Sequence, residues 1–111
     1  MILGVGIDIE EIRRFIGIEK NERFLDIVFT GKEIKYCMSK KNSSISFAGK
    51  FCAKEAVMKA YPKKIFIKDI EILNEKGGRP RVYIKGVLKR KISCSISHTK
   101  TNAVAYVAIE S

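Results

Sequence analysis

The stretch from Ser46 to Tyr61, SFAGKFCAKEAVMKAY, constrains this chain more than any other. Its length and apolar spacing predict a helix, with Asn42, Ser43 and Ser44 offering N-caps upstream. Pro62 ends it, because proline lacks the next amide and drives its predecessor out of helical geometry. At about 100° per residue, Lys50 and Lys54 fall together, which predicts a solvated face. Glu55 and Lys59 lie elsewhere, one turn apart with Ala48 between them. Phe51 and Met58 flank them on one side, Cys52 and Ala56 on the other. On an ordinary surface such an i,i+4 pair contributes a few tenths of a kcal/mol, roughly. The apolar flanks predict partial burial instead, where charges are costly unless paired or bound to a ligand or metal. Glu55 and Lys59 are therefore the candidate centre of a site.

The 111 residues, 46% of them hydrophobic, suffice for a single domain spanning 1–111. Twenty-two Lys and Arg against 12 Asp and Glu give a net charge of +10, so the partner is expected to be acidic: nucleic acid, a phosphorylated small molecule or an acidic protein. Cys37, Cys52 and Cys94 are odd in number and lack C-x-x-C spacing, which fits small core residues in a reducing compartment and argues against a zinc site. Asp8 and Glu10 interrupt the first apolar run, so no signal peptide is expected there. No stretch approaches the roughly 20 apolar residues of a membrane span. A cytoplasmic location is the expectation.

Residues 2–9 alternate as a strand, and Leu3, Val5, Ile7 and Ile9 are expected on its core face. Gly4 and Gly6 on the other face are expected to leave open space beside Asp8. Asp8 alone reads equally well as a solvated strand end. With Glu10 at i+2 on the same face, it gives two carboxylates suited to a hard cation such as Mg²⁺. An amphipathic segment from Glu11 puts Ile12, Phe15 and Ile16 inward and Arg13 and Arg14 outward. A helical piece runs from Glu22 to Phe29, with Arg23 beside Phe24. Thr30-Gly31-Lys32-Glu33 has the form of a capping box opening a third helix through Met38. Beyond Pro62, Ile65, Ile67, Ile70 and Ile72 alternate as a strand. A glycine-rich turn over 74–80 leads back into Val82–Ile84. Gly86 to Lys91 reads as a short basic helix. Ile92 to Ser97 is a strand ending at His98, the single histidine, and Ala103 to Ile109 is the last strand. This order is α+β: a small antiparallel sheet packed on a long central helix.

Four stretches now stand in order: Gly6-Ile7-Asp8-Ile9-Glu10, Phe47-Ala48-Gly49-Lys50-Phe51-Cys52-Ala53-Lys54-Glu55-Ala56, Gly78-Arg79-Pro80, and Ser95-Ile96-Ser97-His98-Thr99. Together they resemble the 4′-phosphopantetheinyl transferases over essentially the whole chain. The length resembles that of their short bacterial type, the holo-[acyl-carrier-protein] synthases of fatty acid biosynthesis. The resemblance implies transfer of the 4′-phosphopantetheine arm of coenzyme A to a serine of apo acyl carrier protein, with release of 3′,5′-ADP. It makes Asp8 and Glu55 ligands of Mg²⁺, and Glu10 a third acidic position found in some members. Lys59 becomes the lysine on the phosphates. The base for the serine proton is left between Glu55 and a metal-bound water. Ser97, His98 and Thr99 match the part that receives the adenosine 3′-phosphate, and Gly78, Arg79 and Pro80 a turn near the nucleotide. Arg13, Arg14, Arg23 and Phe24 match positions that dock the acidic carrier. The family further implies a homotrimer with sites between subunits.

A small nucleic-acid-binding protein would share the charge, but the sequence has no aromatic platform, zinc knuckle or recognition helix, and that reading leaves the three carboxylates unexplained. An inactive scaffold would bind no metal and form no product. Neither a nucleic acid nor a membrane is expected as partner.

Overall fold

The computed structural model describes all 111 residues. Strand β1 (Ile2–Glu11) leads through two short 3₁₀ turns (Ile12–Phe15 and Ile18–Lys20) into helices α1 (Glu22–Val28), α2 (Gly31–Met38) and α3 (Ser43–Ala60). Strands β2 (Ile70–Asn74), β3 (Pro80–Ile84), β4 (Val87–Leu88), β5 (Ile92–His98) and β6 (Asn102–Glu110) follow. They form two antiparallel three-stranded sheets, in the orders β1-β6-β5 and β2-β3-β4. Helix α3 packs on the first sheet and touches the second, so the architecture is α+β around a central helix.

Local chemistry explains the helix starts. The Asn21 side chain accepts from the Phe24 amide at the head of α1. At α2 the expected capping box is present: Thr30 Oγ1 accepts from the Glu33 amide and Glu33 Oε1 accepts from the Thr30 amide. Among the helices lies a chain of phenylalanines, Phe47, Phe29, Phe24, Phe15 and Phe51, with neighbouring ring centroids 5.1 to 6.4 Å apart. Such pairs add about 0.5–1.5 kcal/mol each beyond the area they bury. Cys37 and Cys52 are fully buried, and Cys94 is half-buried beside them in the core. Burial pushes the first two thiols up to about 12 and Cys94 to about 11.

Several expectations reverse here. Lys50 and Lys54 do not form a solvated face; both are buried. Lys54 Nζ donates to Glu33 Oε1 (2.7 Å) and to the Val28 carbonyl (2.5 Å), while Glu33 Oε2 accepts from the Ile72 amide. Lys50 Nζ donates to the Ile72 carbonyl (2.7 Å) and to Asn74 Oδ1 (2.6 Å). Most of helix α3 is covered by other elements, so Lys50 and Lys54 are satisfied internally rather than by water.

The faces of β1 also reverse. Gly4 and Gly6 point at α3, where a Cβ would lie 2.2 Å from the Ala60 carbonyl oxygen and 2.0 Å from that of Ala56. There is no open space beside them: the helix backbone fills it. Leu3, Val5, Ile7 and Ile9 face outward, each more than half exposed, and the apolar surface continues onto Tyr106, the partner of Ile7 on β6. Alternation defines two faces but not which of them is packed. Ile16 is exposed, not inward. The strand after Pro62 starts only at Ile70, following a 3₁₀ turn at Ile67–Asp69, and the basic stretch after Gly86 is β4 and a turn rather than a helix.

Replacing Lys54 by Met strands the Glu33 carboxylate in the core. A loss of about 3–5 kcal/mol is expected, read as a lower urea midpoint with an unchanged slope.

Candidate active site

The site begins where α3 crosses the end of β1. Because the even-numbered face of β1 meets the helix, Asp8 and Glu10 are carried to α3 rather than into water. Lys59 Nζ reaches back to donate to the Ile7 carbonyl (2.8 Å) and to Asp8 Oδ1 (3.2 Å). The ion pair of Lys59 is thus with Asp8 across two elements, and not with Glu55 along the helix. Lys59 is exposed and Glu55 half-buried, so the expected burial holds for the carboxylate alone. Asp8 Oδ2 is buried without a hydrogen-bond partner.

Two of these carboxylates are perturbed by their surroundings. Burial, then the neighbouring Asp8, pushes Glu10 up to about 7, against the pull of Arg14, whose Nη1 lies 2.6 Å from Glu10 Oε1. Burial and Asp8 also raise Glu55, with Lys59 opposing. An orphaned buried carboxylate oxygen among crowded acids is an environment a cation relieves, and an all-oxygen donor set suits Mg²⁺. No group of three or more His, Cys, Asp or Glu side chains is placed so that it could hold a metal ion.

A second group lies on the other side of α3. Ser46, Lys50, Asn74, Gly78, Pro80 and His98 line a cavity of about 340 Å³. Gly78 and Pro80 are therefore brought together with His98, which lies far from them in sequence. Arg79 is exposed beside the lining residues. Ser97 alternates to the outer face of the sheet opposite Val104, and Thr99 Oγ1 accepts from the Thr101 and Asn102 amides, closing its own turn. Glu10, Ala103 and His98 are in one row across the sheet, which separates Glu10 from His98 by roughly 10 Å at Cα.

Lys50 and Asn74 were not expected here. Asn74 Nδ2 donates to the Gly78 carbonyl (2.9 Å) while its Oδ1 holds Lys50, so the central helix ties down the glycine-rich turn. Burial lowers the Lys50 pKa, and its ammonium sits 4.4 Å above the Tyr36 ring. The only sequence signal was an asparagine at the mouth of that turn.

Of the positions matched to carrier docking, Arg23 is exposed and Arg13 pairs loosely with Glu11 at 3.2 Å. Arg14 is held by Glu10, and Phe24 sits half-buried in the phenylalanine chain.

The chain resembles known proteins along its whole length. Residues 4–108 match the model of the 4′-phosphopantetheinyl transferase superfamily, and the chain belongs to that family. Within it, a holo-[acyl-carrier-protein] synthase of Clostridium tetani is 47% identical over 122 residues, covering 99% of this chain and 97% of the relative. One from Oceanobacillus iheyensis is 45% identical, covering 99% and 98%. Among solved structures, the holo-(acyl-carrier-protein) synthase of Bacillus anthracis in complex with CoA (3′,5′-ADP) superposes with a TM-score of 0.83 at 33% identity, covering 100% of this chain and 98% of that one. The Helicobacter pylori synthase in complex with coenzyme A gives 0.77 at 30%, covering 96% and 99%.

Glu10 generates a pH prediction. Its folded pKa of about 7 lies above the ordinary 4.5, so the folded protein holds the extra proton between those values. Its contribution to stability is present below about pH 4.5 and is lost as pH rises through about 7. Thermal melts without divalent cations are expected to show this loss, and Glu10→Gln to flatten it.

Proposed function

We propose that this chain transfers the 4′-phosphopantetheine group of coenzyme A to a serine of apo acyl carrier protein, releasing 3′,5′-ADP, in fatty acid biosynthesis. The observation that carries the reading is the full-length likeness to a structure holding CoA (3′,5′-ADP), in a chain that places an acidic cluster with a lysine on one side of α3 and a basic-walled cavity on the other.

Cleaving a pyrophosphate linkage develops negative charge on the departing group, and stabilising it is the main task. Asp8, Glu55 and Glu10 would hold Mg²⁺, which when bound supplies Lewis-acid polarisation of phosphate oxygens. Lys59, fixed by Asp8 and the Ile7 carbonyl, brings a cation to the same place. Glu55 makes no ion pair of its own, and we assign it the serine proton. On the cavity side, His98 and Arg79 supply the groups for the adenosine 3′-phosphate. Gly78 and Pro80 shape the wall, and Lys50 holds that wall in place. Ser97 and Thr99 stand at the rim.

The exposed apolar face of β1 and β6 supports assembly of three copies, each covering another's Val5, Ile7 and Ile9. Ser97 opens onto that same face, so the assembly would bring one subunit's Ser97–His98 end beside another's carboxylates. Arg13, Arg14 and Arg23, with Phe24 behind them, suit the docking of an acidic carrier, and steering by the net charge would speed encounter. A cytoplasmic setting follows from these substrates.

Mass spectrometry of apo acyl carrier protein after incubation with the protein, coenzyme A and Mg²⁺ tests the reaction. A gain of about 340 Da, the mass of the transferred arm, is expected. EDTA and Glu55→Gln should each abolish it. No gain with several carriers would overturn the reading.

Shared sites make a second prediction. Glu55→Gln and His98→Ala should each be inactive alone. After dissociation and mixing, activity should return to at most about a quarter of wild type, the random share of intact sites. No recovery in verified mixed assemblies would place each site within one chain.

A further inference from the structure

At the end of the hairpin away from the Gly78 turn, a second surface gathers charge that the proposed reaction leaves unused. The length of β3, roughly 16 Å at 3.3 Å per residue, separates the two ends. Lys63 and Lys64 from the loop after α3, Lys85 from the β3–β4 turn, and Lys89 line a depression of about 450 Å³ with Phe66 and Val87. Arg90 and Lys91 extend it into a neighbouring hollow that shares Tyr61 and Lys89. None of these six cations forms an ion pair, and Asp69 is the one carboxylate in the lining.

Two apolar side chains stand among the charges. Phe66 is 71% exposed and Val87 57%, although Ile65 beside Phe66 is buried. Neither belongs to the β1–β6 face that other copies would cover. The turn that presents Lys85 is also built against local preference. Lys85 has φ +50 and Gly86 φ +82, the left-handed pair of a two-residue hairpin turn, where asparagine or aspartate normally precedes glycine. Lys85 is the single non-glycine residue of the chain with positive φ, held there by its amide donating to the Asp69 carbonyl at 2.8 Å. A residue less suited to the backbone than asparagine sits at the apex of the cationic face.

We propose that this face docks on an anionic phospholipid bilayer. Phe66 and Val87 enter the interfacial layer, and the lysines and Arg90 lie against headgroup phosphates. Phe66, from the segment before β2, and Val87, at the start of β4, are both more than half exposed where they line the depression, and long cationic stems surround them. That arrangement suits a soft interface in which lysines extend along apolar surface with their ammonium groups in water. Unpaired cations on one face add their attraction to a negatively charged leaflet. The earlier expectation of no membrane partner rested on the lack of a spanning segment, which does not bear on peripheral contact.

Vesicle sedimentation with the full chain, in the absence of coenzyme A and carrier, tests this separately from the transferase reading. Vesicles with about 30% phosphatidylglycerol should bind the protein in a salt-sensitive way, and phosphatidylcholine alone should not. Lys63→Glu with Lys64→Glu should weaken binding by about tenfold or more. Phe66→Ser should weaken it several-fold, roughly, at constant charge. Lys85→Asn should raise the melting temperature while weakening binding, a split that a purely structural lysine would not produce. Arg13→Ala with Arg23→Ala should bind vesicles nearly as wild type. No binding to anionic vesicles overturns the proposal. Equal binding by the Lys63/Lys64 and Phe66 variants shows that another surface meets the bilayer and overturns it too. Capture of an acidic carrier, rather than vesicles, that is lost with Lys63→Glu and Lys64→Glu would assign the face to a protein.

Discussion

The Lys54–Glu33 pair is the contact on which the rest depends. Both side chains are fully buried, and neither survives alone in such a place without a large cost. Glu33 closes the start of α2, takes the Ile72 amide of β2 and holds Lys54 of α3, while Lys54 also ties the end of α1 through the Val28 carbonyl. Four elements thus share one ion pair. Its directional consequence matters more than its net energy. With Lys54 locked toward the helices, the next residue is turned about 100° around α3, which aims Glu55 at the end of β1.

The other half of that placement comes from atoms that are missing. Gly4 and Gly6 let the backbone of α3 come into direct contact with β1, a distance no side chain would permit. This fixes the height of the helix above the strand, so that Lys59 spans to Asp8 and to the Ile7 carbonyl. A sheet separated from α3 by ordinary side chains would carry the same residues too far apart to act together. The proposed substrate contact would thus depend on two glycines that carry no charge of their own.

Much of this was legible in the sequence, and what failed has a common cause. The capping box at Thr30, the strand of residues 2–9 and the long central helix were readable, because turn chemistry and period are local properties; a shared role for Gly78, Pro80 and His98 came only from the family resemblance. The orientation of faces was not. Leu3, Val5, Ile7 and Ile9 look like a core because apolar residues look alike whether they face their own chain or another. Lys50 and Lys54 look solvated because a helical wheel cannot show that Glu33 and Asn74, distant in sequence, return to meet them. Lys59 was paired with Glu55 by spacing, whereas the strand brought a nearer partner in Asp8.

The three cysteines carry a consequence of a different kind. Coenzyme A ends in a free thiol, so a protein that handles it is exposed to mixed-disulfide formation whenever the cell is oxidised. Exchange requires a thiolate with access to the incoming sulfur. Cys37 and Cys52 have no exposed surface, and burial holds all three thiols protonated far above neutral pH. Packing Cys37 and Cys52 into the core denies both thiols to the reactive end of the very molecule the chain would bind.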